Sequence, residues 1–129
     1  MVEWAMKVKN TLELFVMANS DREKSLSADW LSRENWEELT HVLALLKPFH
    51  DLVLRMEGKA KDGAHGSIWE ILPAIEILLQ HLETAKVEFE HSDYKHITIS
   101  INNAWKKLNK YYKLTNMSPI YVAAIVLNL

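Results

Sequence analysis

The chain has 129 residues, of which 49% are hydrophobic and 25% charged, with no cysteine, three glycines and three prolines. This balance predicts one globular domain with its own core, and the lack of cysteine excludes disulfide scaffolds, zinc ribbons and thiol enzymes. The 15 basic and 17 acidic side chains give a net charge of −2, so any binding to nucleic acid or anionic membrane must come from a local patch. The longest apolar run, Ile120 to Leu127, is too short for a membrane span, and the N-terminus has no signal-peptide layout. We therefore expect a soluble intracellular protein, nuclear or cytoplasmic and not secreted, with no membrane partner.

The first segment shows the spacing of an amphipathic helix. Apolar residues recur every three or four positions between Trp4 and Met17, which predicts a helix with one apolar face. The residues of that face are Trp4, Val8, Leu12, Phe15 and Val16. The polar stretch Asn19 to Lys24 then predicts a connector.

A second, longer helix is predicted from Ser32 to Gly58. The Ser32 hydroxyl is placed to cap the backbone amide of Asn35, and glycine suits a helix end because it adopts positive φ without strain. Pro48 lies inside this stretch and has no amide to donate, which predicts either a kink or two abutting helices. Lys59 to Gly66 has no apolar period and is predicted to be a loop.

A third helix begins at a capping box. Ser67 and Glu70 have the spacing at which each side chain satisfies a backbone amide near the other. The helix is predicted to extend towards Phe89, with Pro73 bending its first turns. Its inward residues are Leu72, Ile75, Leu79 and Leu82. The charged stretch Glu90 to Lys95 then predicts a break.

The segment from Ile97 to Ile101 alternates strictly and taken alone indicates a strand. A lone strand of five residues has no partner in this sequence, and the same isoleucines continue at helical spacing, so we predict a helix through Ala104, Trp105, Leu108 and Tyr112. Ser118 followed by Pro119 then predicts the cap and first residue of a last short helix. The whole pattern predicts an all-α fold, an irregular bundle of five to six helices forming a single domain over residues 1–129.

No residues stand out as catalytic or metal-binding. The histidines have neither the four-residue helical spacing of zinc ligands nor a His-Glu-x-x-His run, and no nucleophile elbow or glycine-rich phosphate loop occurs. The most suggestive group is better explained as a solvated connector; it comprises Glu88, Glu90, His91, Asp93 and His96. We predict no catalytic residue, metal, cofactor or small-molecule substrate, and a metal-dependent enzyme is the least favoured alternative.

One local basic feature occurs near the C-terminus. On a helix, Lys106, Lys110 and Lys113 share one face, which is suited to contact a few phosphates. An ordinary solvated face is the alternative interpretation, and the overall negative charge favours it. The candidate nucleic-acid contacts are Lys106, Lys107, Lys110, Lys113 and, at the edge, Tyr111.

Two further features suggest protein contacts. The five tryptophans are spread over nearly every predicted helix, which core anchoring explains; Trp30, in the loop before the second helix, is the candidate for an exposed contact. The last helix is strongly apolar to its end, so it docks into a core or against another surface. Tyr121 and Leu127 are its candidate contact residues, and a second copy of the chain is the candidate partner, giving a homodimer.

Four blocks in order resemble the central region of hAT-superfamily transposases, especially the fungal ones. They are Leu31 to Gly58 with its Leu-Lys-Pro-Phe turn, Gly66 to Pro73, Ala104 to Tyr112 and Ser118 to Leu127. The Lys-Leu-x-Lys-Tyr-Tyr and Pro-x-Tyr-x-Ala-Ala motifs are together the most specific.

This resemblance implies a piece of the helical insertion that splits the RNase H-like catalytic core of those transposases. The family's acidic, metal-binding triad is expected upstream of Met1 and downstream of Leu129, so the resemblance assigns no catalytic residue here. The family's N-terminal zinc finger has no counterpart either, since the chain lacks cysteine. The resemblance implies a non-catalytic fragment acting in protein or DNA interaction; the alternative is a DNA-backbone-binding module using the Lys106 to Lys113 helix.

Overall fold

A computed structural model describes residues 2–19, 31–57 and 68–128. Helices account for 88% of these residues and no strand occurs among them, which confirms the all-α class. The described residues form six helices: α1 (Val2–Lys7), α2 (Lys9–Asn19), α3 (Arg33–Met56), α4 (Ile68–Glu88), α5 (Lys95–Asn116) and α6 (Pro119–Leu127). The predictions for Trp30, Gly58, the Lys59 to Gly66 loop and the capping Ser67 fall outside the described residues.

The chain divides into two compact units, residues 1–44 and residues 45–129. The boundary falls within α3, which is one continuous helix. The single domain expected over residues 1–129 stays a prediction.

The first unit departs from the predicted helix between Trp4 and Met17. Two helices, α1 and α2, meet at Val8, although the amide of Val8 still donates to the carbonyl of Trp4 (3.1 Å). Neither helix contains a buried residue, and Trp4 and Phe15 are 64% and 57% exposed. The apolar face is therefore exposed or half-buried, because apolar spacing identifies one side of a helix but burial requires an element that covers it.

The start of α3 follows the sequence closely. The amide of Asn35 donates to the Ser32 hydroxyl (3.2 Å), and the amide of Ser32 donates to the Asn35 side-chain oxygen (2.9 Å). This reciprocal arrangement confirms the predicted cap. Pro48 lies inside a helix that continues to Met56, so the alternative of two abutting helices is wrong. A proline removes one hydrogen bond of the ladder, and the bonds on either side keep this helix continuous.

The described tryptophans differ widely in burial. Trp36 is only 3% exposed and is the one buried residue of α3, and the Lys9 ammonium lies 5.4 Å from the centroid of its ring. Trp69 and Trp105 are half-buried, whereas Trp4 is exposed. Core anchoring thus holds for Trp36 and is wrong for Trp4, whose side chain is 64% exposed.

The second unit contains most of the core. Helix α4 packs against both α5 and α6, and α5 also contacts α6. The core residues of this unit are Leu72, Ala74, Leu82, Ala85, Phe89, Ile97 and Ile101. The helix predicted over Ile97 to Ile101 is confirmed: these two isoleucines, four residues apart, are buried, while Ile99 between them is 60% exposed.

The second half of α3 contacts α4 within the same unit. The Arg55 guanidinium donates to the Glu70 carboxylate at 2.6 Å, and a ring nitrogen of His81 lies 3.0 Å from the carbonyl of Leu45. Apolar side chains of both helices line a small cavity of about 60 Å³ beside the ion pair. This is room for about two water molecules, and its lining offers no convergent polar groups beyond that pair.

The last helix begins as predicted, with Ser118 at the N-cap and Pro119 at the first helical position. The Ser118 side chain makes no capping hydrogen bond. No residue of α6 is buried, and Ile120 and Leu127 are 58% and 86% exposed. Among the described helices, none combines the length and the apolar character needed to cross a bilayer.

Candidate nucleic-acid interface

Positive charge is concentrated on α5. This helix contains five lysines and neither aspartate nor glutamate, although the whole chain has 15 basic and 17 acidic residues. Without α5 the chain has 15 − 5 = 10 basic against 17 acidic side chains, a balance of −7. The protein therefore has a small negative net charge although one of its helices is strongly positive. Counting the charges of each predicted helix separately identifies this helix from the sequence alone.

The candidate lysines lie on the outer face of α5. Lys106, Lys110 and Lys113 line one open depression of about 310 Å³, together with Asn109 and Leu114. The spacing that placed these three lysines on one face is thus borne out by their shared depression. Lys107 is also exposed but does not line it. Three ammonium groups on one open surface are suited to an extended anion rather than to a small enclosed one.

These lysines have no acidic partners in the part of the chain that the structure describes. The lysine and arginine ion pairs there are Lys9 with Glu13, Arg33 with Glu37 and Arg55 with Glu70. None involves α5, although the adjacent α4 contains four glutamates. The ammonium groups of α5 are therefore open to an external anion without first breaking an ion pair among these residues.

Two hydrogen bonds fix the inner face of α5 against α4. The indole N–H of Trp105 donates to the Glu83 carboxylate (3.1 Å), and the phenol of Tyr112 donates to the Glu76 carboxylate (2.6 Å). The two donors are 112 − 105 = 7 residues apart and the two acceptors 83 − 76 = 7, in opposite order, so the helices are antiparallel. Lys106 directly follows Trp105 in sequence, and Lys113 directly follows Tyr112. Because the two hydrogen bonds fix the rotation of α5 about its axis, they also fix the side of the helix on which these lysines lie.

The neighbouring tyrosines of this helix have different environments. The Glu76 carboxylate raises the pKa of Tyr112, first by accepting its hydrogen bond, then with contributions from desolvation and from the carboxylate charge. Tyr111 is 52% exposed, and its phenol has no hydrogen-bond partner among the described residues. Tyr112 is thus a structural contact, while the ring of Tyr111 is available to a ligand.

The two candidate partner-contact residues on α6 differ in exposure. Leu127 is 86% exposed and Tyr121 is half-buried, so only the first offers most of its side chain to a partner. No three acidic or histidine side chains gather as a metal site in the described ranges. The structure thus does not assemble the group of Glu88, Glu90, His91, Asp93 and His96 into such a site.

The four sequence blocks each fall on a different helix of the structure. The first covers α3, the second the start of α4, the third lies within α5 and the fourth covers α6. Comparison of the chain with protein-family models, with curated proteins and with solved structures finds no match.

Proposed function

We propose that this chain is a non-catalytic helical scaffold that contacts the phosphate backbone of DNA through the outer face of α5. One observation carries the proposal: Lys106, Lys107, Lys110 and Lys113 are exposed, without ion pairs among the described residues, on a helix that has no acidic side chain. Lysine contacts to phosphate position a protein on DNA without reading its sequence. We also propose that the protein is intracellular, in the nucleus or the cytoplasm, as expected from its sequence.

The size of the lysine face limits the expected affinity. Lys106 and Lys113 are seven residues apart, which on a helix is about 10 Å along the axis. A face of this length reaches about three phosphates, so the binding constant for duplex DNA should fall with salt with a logarithmic slope of about −2.7. The expected binding is therefore weak, independent of sequence and strongly dependent on salt.

The test is fluorescence anisotropy of labelled duplex DNA at about 50 mM and about 200 mM salt. We expect the triple variant Lys106→Glu, Lys110→Glu and Lys113→Glu to lose binding at both concentrations. The matched control changes three exposed lysines elsewhere by the same charge: Lys7→Glu, Lys47→Glu and Lys86→Glu. Unchanged binding in the first variant, or equal loss in both, contradicts a site on α5.

We also propose that the chain derives from the helical insertion of a hAT transposase. The ordered series of four blocks supports this, and each block falls on its own helix. The proposal assigns no catalytic residue, so the purified chain with magnesium or manganese should not nick or join DNA. Nicking that co-purifies with the chain, requires the metal and is abolished by substitutions of Glu88, Glu90 and Asp93 would show a catalytic activity and contradict the proposal.

A second candidate function, self-association, is favoured by the surface of α6. This helix has no charged residue and exposes Ile120, Val126 and Leu127 by 58%, 63% and 86%. Two copies of such a surface can meet about a twofold axis without charge repulsion. The proposed partner is a second copy of this chain.

Light scattering across a range of protein concentrations tests this association. We expect a concentration-dependent dimer, and we expect the double variant Val126→Lys and Leu127→Lys to be monomeric. Val87→Lys is the control, because Val87 is 74% exposed on α4 and its substitution should leave the dimer intact. A protein that stays monomeric at the highest concentration removes this candidate.

A further inference from the structure

We infer that the outer face of α5 binds single-stranded DNA more tightly than duplex DNA, with Tyr111 stacking on a base. The inference rests on the proposed function, since it requires that the lysines contact phosphates. It goes further by assigning a role to the exposed side chains beside them. These side chains form a second row along the same helix.

The two rows lie next to each other on the helix surface. Lys106, Lys110 and Lys113 form the phosphate row, with spacings of four and three residues. Lys107, Tyr111 and Leu114 form the second row with the same spacings, shifted by one residue and therefore rotated by about 100° around the helix, onto the neighbouring face. Leu114 also lines the lysine depression, so the rows adjoin there. One side of the site is thus basic, and the side next to it is largely apolar.

The side chains of the second row are accessible. Tyr111 is 52% exposed and Leu114 is 57% exposed. The Tyr111 phenol makes no hydrogen bond within the described part of the chain, in contrast to Tyr112, whose hydroxyl is held by Glu76. An unrestrained exposed tyrosine beside a lysine row is the combination that proteins use to bind a single strand, where bases stack on aromatic rings.

The arrangement favours a single strand for a geometric reason. In duplex DNA the faces of the bases are stacked on each other and covered, so only their edges and the phosphates can be contacted. A single strand exposes both its phosphates and its base faces. With its phosphates along the lysine row, such a strand can turn its bases over Tyr111 and Leu114. The second row has no corresponding partner on a duplex.

The experiment compares one labelled oligonucleotide as a single strand and as a duplex, by anisotropy at low salt. We expect Tyr111→Ala to weaken binding of the single strand by about fivefold or more and to leave duplex binding within about twofold. Tyr111→Phe should retain single-strand binding because the ring remains. Ile99→Ala is the control, since it truncates an equally exposed apolar side chain of α5 outside the second row.

The salt dependence gives a second readout. Tyr111→Ala should keep the logarithmic salt slope of the single strand near −2, because three phosphate contacts remain. Lys110→Gln should instead reduce the magnitude of that slope by about 0.7, because it removes one contact. Circular dichroism checks that each variant keeps the helical content of the unmodified protein.

The outcomes separate this inference from the proposed function. If the unmodified protein binds neither form, the proposed function fails and the inference fails with it. If the protein binds DNA but Tyr111→Ala weakens neither form, or weakens both equally, the inference is overturned while the phosphate contacts of α5 stand. Duplex binding as tight as single-strand binding also overturns the inference.

Discussion

Helix α2 and the α4–α5 pair have similar apolar spacing but very different burial. In α2, Leu14 and Phe15 are 67% and 57% exposed, and no residue of the helix is buried. In α4 and α5, Leu82 and Ile101 are 1% and 0% exposed. The difference shows that spacing determines which residues share a side, while burial depends on a neighbouring helix in register.

In the α4–α5 pair each helix is the neighbour that covers the other. Its two polar contacts, Tyr112 with Glu76 and Trp105 with Glu83, keep a constant antiparallel register over seven residues. Apolar residues between and beyond them then meet repeatedly across the interface. In α1 and α2 the apolar residues stay exposed or half-buried, so a similar pattern stabilises much less.

The largest expected contrast is between two leucines changed in the same way. Leu82→Ala should lower the free energy of unfolding by about 2–5 kcal/mol, because it removes buried methyl groups and leaves a cavity. Leu14→Ala should change it by no more than about 0.5 kcal/mol, because this side chain is mostly in water. Urea unfolding followed by circular dichroism measures both. Equal losses would show that α2 is covered in solution.

A smaller contrast is expected within α5. Ile101→Val should cost about 0.5–1.5 kcal/mol of unfolding free energy, since it removes one methylene from a fully buried side chain. Ile99→Val, two residues earlier on the exposed side, should cost almost nothing. The same urea measurement distinguishes them. A larger cost for Ile99 would mean that the opposite face of α5 is the buried one.

The smallest expected effect concerns the hydrogen bond that aligns α4 with α5. The pKa of Tyr112 is raised in the folded protein, so the neutral phenol is favoured by folding. Its contribution to stability is complete below the ordinary tyrosine pKa of about 10 and is lost as pH rises through the raised value. The stability difference between the unmodified protein and Tyr112→Phe should therefore shrink at high pH.

Ultraviolet absorbance of tyrosinate measures this ionisation directly. The difference between the unmodified protein and Tyr112→Phe gives the titration of Tyr112, which should occur above the ordinary tyrosine pKa of about 10. Glu76→Gln keeps an acceptor oxygen but removes the negative charge, so it should lower the pKa of Tyr112 towards its ordinary value. Ionisation of Tyr112 at or below the ordinary tyrosine pKa of about 10 would contradict the observed contact.

Much of the secondary structure followed from local chemistry. The cap at Ser32 and the Ser118-Pro119 start of α6 depend on side chains and backbone within one helical turn, and both were predicted correctly. The sequence predicts a helix over Ile97 to Ile101 because a strand there would have no partner, and the observed helix with both isoleucines buried confirms it. Such features depend on few residues that are close in sequence.

Other features depend on residues far apart in sequence. The exposure of Trp4 reflects what surrounds its helix rather than the pattern of the helix itself. At Pro48 the alternative of two abutting helices is wrong, and a kink there stays a prediction. The burial of Ala74 and Ala85 was also missed, because small residues become buried where another helix approaches closely. Nothing in their local sequence marks that approach.

The candidate site shows the same division. The sequence by itself determined that three lysines share one face of α5 and that this helix has no acidic residue, because both follow from helical period and composition. Only the tertiary structure decided that this face points outward, through the contacts of Trp105 and Tyr112 with α4, and that Tyr111 is exposed while Tyr112 is held by Glu76. The reason is physical: a helix sets the angles between its own side chains, but its rotation about its axis is fixed by the helices that pack against it.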